Sequence, residues 1–143
     1  MAINQLSIFI ENKAGTLFEI TDVIAKNDID IRAISIADTE DFGILRVIVS
    51  DVEKAKDVLK ANNCVVSVTK VVGIVISDEP GSMSKIIGIL SDNGINIEYM
   101  YAFITVSKKN AYVVLRVKDN EKAEKILKEK GVQLISQDEI LSI

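Results

Sequence analysis

The chain has 143 residues, of which 48% are hydrophobic, so it can form one ordinary domain or two very small ones with a real core. It has 17 basic and 21 acidic residues and a net charge of −4, which argues against nucleic-acid binding because that function usually needs a basic surface. It has no histidine and one cysteine, Cys64, which excludes His-based catalysis, His metal sites and an intrachain disulfide.

The N-terminal half predicts the element order βαββαβ. Apolar residues alternate in the strands, and they recur at helical spacing from Leu17 onward. Thr16 and Glu19 have the spacing of a capping box, and Asp51 is a good N-cap for the second helix. The predicted strands cover residues 4–10, 29–37, 44–49 and 64–69, and the predicted helices cover 17–27 and 52–62.

The same order then repeats. Asp119 is the predicted N-cap of the last helix, and Gly131 is the glycine that follows it. The predicted strands cover residues 71–76, 95–106, 112–117 and 132–136, with a turn at 108–110. The predicted helices cover 83–93 and 120–130, and residues 137–143 form a short tail.

The two halves align residue by residue. Gly15 matches Gly81 at an offset of 66, and Asp51 matches Asp119 at an offset of 68. The change of offset places two extra residues in the loop between the middle strands of the second copy. We therefore divide the chain into two repeats, residues 1–70 and 71–143.

Each βαββαβ repeat predicts an α+β unit, a four-stranded antiparallel sheet with both helices on one face. The opposite face is also apolar, which argues for a partner such as the other repeat or another chain, and we infer a homodimer. The candidates for this face are Phe9, Ile44, Ile48, Val65 and Val75. No apolar run reaches the ~18 residues of a membrane span and the N-terminus lacks a signal peptide, so we expect a cytoplasmic protein that does not bind membranes.

A glycine turn joins the first strand to the first helix of each repeat. The first turn is Glu11-Asn12-Lys13-Ala14-Gly15-Thr16-Leu17, and the second is Ser77-Asp78-Glu79-Pro80-Gly81-Ser82-Met83. Backbone N–H groups at a helix start can bind a small anion, and glycine permits close approach. Two such turns indicate a binding module present in two copies.

Together with the segment Gly94-Ile95-Asn96-Ile97, these repeats resemble tandem ACT domains, which have a ferredoxin-like fold. The first copy departs from the family pattern, with Ala14 before the glycine and Asp30 in place of Asn96. The resemblance implies a regulatory module that binds an amino acid at an interface between two units, near the glycine turn. It also implies ligand contacts three residues before each glycine, at Asn12 and Asp78, and at Asn96.

The chemistry of these residues suits a zwitterion. The N–H groups around Gly15 can receive a carboxylate, Asn12 can both donate and accept, and an ionised Asp78 can only accept. Tyr99 and Tyr101 share one strand face, either for sheet or subunit packing or as a pocket wall. The candidate ligand residues are Asn12, Ala14, Gly15, Thr16, Leu17, Asp78, Pro80, Gly81, Ser82, Met83, Asn96, Tyr99 and Tyr101.

The leading hypothesis is a non-catalytic regulatory protein that binds a free amino acid, with an apolar or aromatic side chain favoured, and acts on a partner enzyme without a cofactor or metal. The alternative is a regulatory or assembly subunit that binds no ligand. An RNA-binding sheet is disfavoured because the strand 112–117 is not a basic, aromatic RNA-binding motif. An enzyme is disfavoured because no pair of acids is recognisable and no phosphate-binding P-loop is present.

Overall fold

The computed structural model describes residues 2–38, 40–105 and 109–143. The order of its elements confirms an α+β fold made of two βαββαβ repeats. The strands are β1 Ile3–Glu11, β2 Ile31–Asp38, β3 Phe42–Val49, β4 Val65–Ser77, β5 Ile97–Ala102, β6 Asn110–Val117 and β7 Gln133–Ile135. The helices are α1 Thr16–Lys26, α2 Val52–Ala61, α3 Ser82–Asp92 and α4 Asn120–Glu129, and a 3₁₀ helix covers Gln137–Ser142.

The chain forms two compact units, which divide between Thr69 and Lys70. The first unit is Asn4–Thr69, with its strands in the order β2-β3-β1-β4. The second unit is Lys70–Ile143 together with Ala2 and Ile3, with its strands in the order β5-β6-β4-β7. Strand β3 pairs with β1 and β2, β6 pairs with β4 and β5, and β7 pairs with β4, all of them antiparallel.

Strand β4 contributes to both units. The sequence predicts a strand at 64–69 and another at 71–76, within nearly continuous strand-forming sequence, and the structure joins them into one strand of 13 residues. No turn-forming residue separates them, so nothing in the sequence forces a break. The predicted strand that ends at Val106 is shorter, since β5 ends at Ala102; Val106 and Lys108 lie outside the described residues.

Strand register confirms the internal repeat. In the first unit Leu6 pairs with Val47, and in the second Val72 pairs with Leu115. These partners are displaced by 66 and 68 residues, the two offsets of the sequence alignment. The loops of one repeat can therefore be compared with those of the other, position by position.

Each unit packs its two helices on one sheet face around a core of its own. In the first core, Ile20 and Ile24 of α1 and Leu59 of α2 pack with buried strand residues such as Leu6 and Ile8. The second core has the equivalent residues Ile86, Leu90, Leu127, Val72 and Ile74. The spacing of Met83, Ile86, Ile87 and Leu90 predicts that Ile87 lies on this face as well. This is wrong: Ile87 is 39% exposed, because one helical step past Ile86 rotates a side chain by about 100°.

The opposite face of the first sheet exposes apolar side chains, as the sequence predicts. Phe9 is 51% exposed, and its ring stacks on that of Phe42 at a centroid distance of 5.0 Å. Ile44, paired with Phe9 across the strands, and Val65 are exposed as well. Ile48 alternates with Val47 and Val49 of the first core and so belongs to the same opposite face, but it is fully buried rather than exposed.

Candidate functional site

The two glycine turns adopt the same left-handed conformation. Gly15 has φ 93° and Gly81 has φ 88°. A Cβ atom at either position would meet nothing within 4 Å, so space does not require glycine there. The positive φ does, because side chains rarely adopt it.

The hydrogen bonds of the two turns are also equivalent. The N–H of Asn12 donates to the carbonyl of Asp41 at 2.9 Å, and the N–H of Asp78 donates to that of Lys109 at 3.0 Å. Three further backbone hydrogen bonds of the first turn recur in the second at an offset of 66. In the first turn the N–H groups of Lys13, Thr16 and Glu19 donate to the carbonyls of Glu11, Lys13 and Gly15. In the second turn the N–H groups of Glu79, Ser82 and Lys85 donate to the carbonyls of Ser77, Glu79 and Gly81. Duplication has preserved the backbone of this turn.

The helices that follow the glycine turns begin without a side-chain cap. Gly15 and Gly81 occupy the N-cap positions of α1 and α3, and neither helix has a capping side chain. The predicted Thr16–Glu19 capping box is therefore wrong, because Thr16 is already the first residue of the helix. By contrast, Asp51 and Asp119 cap α2 and α4 as predicted. The uncapped helix starts are the two that the sequence assigns to ligand binding, and they present N–H groups without intrahelical partners.

Beside the first turn lies a cleft of about 280 Å³. Three of the predicted ligand residues line it, namely Asn12, Ala14 and Leu17. Its apolar wall is formed by Leu17 and Ile36, which are 37% and 48% exposed. The remaining lining residues are Ile10, Glu11, Lys13 and Gly43.

The polar side of this cleft carries both signs of charge. The ammonium of Lys13 lies 3.1 Å from a carboxylate oxygen of Glu11, and both side chains are exposed. The amide nitrogen of Asn12 lies 3.5 Å from the carbonyl of Glu40, longer than an ordinary hydrogen bond. The cleft therefore offers a cation, an anion and an amide beside an apolar wall.

The hydroxyl of Thr16 distinguishes the first turn from the second. Its oxygen is buried and has no hydrogen-bond partner among the described residues. At the equivalent position the hydroxyl of Ser82 lies 2.8 Å from the hydroxyl of Ser77, within hydrogen-bonding distance. In the first copy Ser77 is replaced by Glu11, which pairs with Lys13 instead.

The predicted residues of the second turn are not all equally placed. Asp78, Pro80 and Gly81 are exposed, and Ser82 is half-buried. Met83 packs against the second core, so its side chain contributes to the packing of that unit.

Asn96 lies far from the Gly81 turn within its own unit. It lines a separate cleft of about 670 Å³ with Glu98 and the start of α4. The Gly81 turn follows the end of β4, where Ser77 pairs with Asn110, whereas β5 begins next to the other end of β6. At about 3.3 Å per residue the length of β6 separates them by roughly 20–25 Å. A single amino acid cannot contact both within this unit.

Tyr99 and Tyr101 stack on each other at a centroid distance of 6.4 Å. They alternate with Met100, which packs against the second core. Because neighbouring side chains in a strand point to opposite faces, the tyrosines lie on the face away from the helices.

The sequence does not predict five residues of the first cleft, namely Ile10, Glu11, Lys13, Ile36 and Gly43. Glu11 and Lys13 flank Asn12 and carry opposite charges, which was a usable signal for a zwitterion. The alternation of apolar residues in this strand predicts that Ile34 and Ile36 share one face. Ile34 packs against the first core, whereas Ile36, nearer the end of β2, is exposed and reaches the cleft.

Other chemistry in the described residues is limited. Partial burial raises the pKa of the Cys64 thiol, which packs against the first core. Within residues 2–38, 40–105 and 109–143, no group of three or more potential ligands could hold a metal ion. In the same ranges, no helix is both long and apolar enough to cross a bilayer.

The repeated fold and uncapped glycine turns define a tandem ACT-type module, and comparison with known proteins agrees. The profile of the family described as "ACT domain pair" matches residues 1–143, so the chain belongs to that family. ACT domains are regulatory, ligand-binding domains. A search of curated proteins finds no match.

Solved structures show the same architecture. Protein BT0572 from Bacteroides thetaiotaomicron is 45% identical, with a TM-score of 0.93, and the match covers 100% of this chain and 98% of that one. The regulatory subunit of aspartate kinase from Thermus thermophilus is 15% identical, with a TM-score of 0.61 and coverage of 88% and 91%. Aspartate kinase from Synechocystis is 23% identical, with a TM-score of 0.61, and the match covers 93% of this chain and 26% of that enzyme.

Proposed function

We propose that the chain is a non-catalytic regulatory protein that binds a free amino acid beside the Gly15 turn. The observation that carries the proposal is the cleft in which Asn12, Ala14 and Leu17 meet next to an uncapped helix start. At about 280 Å³ the cleft is slightly smaller than the ~300–1,000 Å³ typical of small-molecule sites, which suits a ligand of amino-acid size.

Each part of an amino acid has a counterpart in this cleft. The ligand carboxylate would face Lys13, the amide of Asn12 and the helix start, and the ligand ammonium would face Glu11. Because Lys13 and Glu11 already pair at 3.1 Å, a zwitterion replaces one ion pair by two and leaves no charge unmatched. Leu17 and Ile36 then favour an apolar ligand side chain.

Binding at this turn would act through assembly. The exposed apolar face around Phe9, Phe42 and Ile44 suits a second ACT unit, and we infer a homodimer. A ligand that binds one arrangement of units better than another shifts the population toward it. We propose that the output passes to a partner enzyme, in line with structural neighbours that are regulatory subunits of aspartate kinase.

A second candidate function is a regulatory or assembly subunit that binds no ligand. The same apolar face favours it, since that surface serves assembly with or without a ligand. In that case the charged pair at the first cleft is only a surface ion pair, whose contribution to stability is small.

A thermal-shift screen of the twenty amino acids separates the two functions. A ligand present at about 100 times its Kd stabilises the folded protein by about 2.7 kcal/mol, which raises the melting temperature measurably. We expect one or a few apolar amino acids to raise it. A flat response to all twenty at millimolar concentration contradicts the binding function and favours the assembly subunit.

A further inference from the structure

A third cleft lies beside the Gly81 turn, in the second unit. It has a volume of about 310 Å³ and lies between the start of α3 and the segment that joins α4 to β7. Its polar side chains include Lys85, Lys130, Ser77 and Ser82. None of the described residues that line it is acidic, and Asp78 and Glu79 of the same turn are not part of its lining.

The two lysines give this cleft its positive charge. Both are exposed, and within the described ranges neither takes part in an ion pair. The chain as a whole has a net charge of −4, so this concentration of positive charge runs against its overall composition.

The first repeat carries the opposite charge at the equivalent positions. Glu19 stands where the second repeat has Lys85, and Glu11 stands where it has Ser77. Asn62 stands where it has Lys130. The backbone of the turn is the same in both copies, so fold maintenance alone does not require the lysines.

The hydroxyl groups are arranged to donate. Ser77 and Ser82 lie 2.8 Å apart, so one hydroxyl proton is used within the pair and the other remains available. Ser82, the first residue of α3, lines the cleft, so the positive end of the helix dipole lies beside it. Lysine ammonium groups and hydroxyl donors together are the groups that proteins use to bind phosphate.

We propose that this cleft binds a phosphate group, either as inorganic phosphate or on a small phosphorylated molecule. The site is independent of the amino-acid site, because it uses the other repeat and no residue of the first cleft. The chain would then respond to two chemically different ligands, a zwitterion at the Gly15 turn and an oxyanion at the Gly81 turn.

The test is an NMR titration of the full chain with inorganic phosphate at neutral pH and constant ionic strength. We expect saturable shifts of the backbone amides of Ser82, Lys85 and Gly131. The variants Lys85→Glu and Lys130→Asn, which introduce the residues of the first repeat, should each weaken binding by about tenfold or more, because a charged hydrogen bond and a favourable charge are lost.

Lys125→Glu is the matched control. Lys125 is exposed on α4 outside this cleft, and its replacement changes the net charge as much as Lys85→Glu does. The Kd of Lys125→Glu for phosphate should stay within about twofold of that of the unsubstituted chain, because salt screens distant surface charges. Acetate titrated in the same way should bind more weakly than phosphate, which carries more charge. Shifts that do not saturate, equal binding of acetate and phosphate, or an equal loss in Lys125→Glu would overturn the proposal.

Discussion

The Gly15 and Gly81 turns share a backbone and differ in the side chains around it. Both glycines are left-handed, with φ 93° and 88°, and both begin a helix that has no side-chain cap. Around Gly15 the polar groups are Glu11, Asn12 and Lys13, of mixed charge, beside an apolar wall. Around Gly81 they are a serine pair and two lysines. The duplication has kept the geometry that exposes a helix start and has changed the ligand chemistry around it.

The largest expected effect tests whether the two scaffolds are equivalent. Ile24 in α1 and Leu90 in α3 occupy matching positions and are fully buried. Ile24→Ala and Leu90→Ala should each lower the free energy of unfolding by about 2–5 kcal/mol, measured by urea denaturation. Ile87→Ala, on the exposed side of α3, is the control and should cost less than about 1 kcal/mol. A large loss from only one of the two buried residues would break the equivalence of the two cores.

An intermediate effect tests the turns themselves. Gly15→Ala and Gly81→Ala should each destabilise by about 1–2 kcal/mol, because alanine disfavours a positive φ even where space is open. Gly88 lies within α3, and a Cβ there also meets nothing within 4 Å. Gly88→Ala should therefore stabilise by about 0.5–1 kcal/mol. Chemical denaturation measures the change in the free energy of unfolding for each of the three variants. A change in the same direction for all three would refute the conformational explanation.

Much of this scaffold could be predicted from sequence because its signals are local. Asp51 and Asp119 as caps, and the glycines at the turns, follow from short-range chemistry. The lining of the clefts does not, because it depends on which strand ends meet: Ile36 and Gly43 reach the first turn through the pairing of β2, β3 and β1. The tyrosines could be placed on one face, but only the packing of Met100 against the core showed that this face lies away from the helices. The sequence pattern predicts Thr16 as part of a cap, because the pattern alone does not reveal that Gly15 holds the N-cap position.

The smallest expected effect concerns the two hydroxyls. Thr16→Val removes a buried hydroxyl that has no partner and keeps its shape, so the ligand-free protein should be unchanged or stabilised by up to about 1 kcal/mol. Ser82→Ala removes one partner of an exposed hydrogen bond and should destabilise by up to about 1 kcal/mol. Differential scanning calorimetry can measure whether each variant is stabilised or destabilised. Destabilisation by both would contradict the contrast between the turns.

The most direct test of the central claim is a residue-resolved NMR titration of the full chain with the amino acid that gives the largest thermal shift. The proposed site at the first turn predicts saturable shifts at Asn12, Gly15 and Leu17, and Asn12→Ala should weaken binding by about tenfold or more. Asp78→Ala, at the matching position of the second turn, should leave the Kd unchanged. Shifts confined to the second turn, or unchanged affinity in Asn12→Ala, would contradict the assignment of the amino-acid site to the first turn.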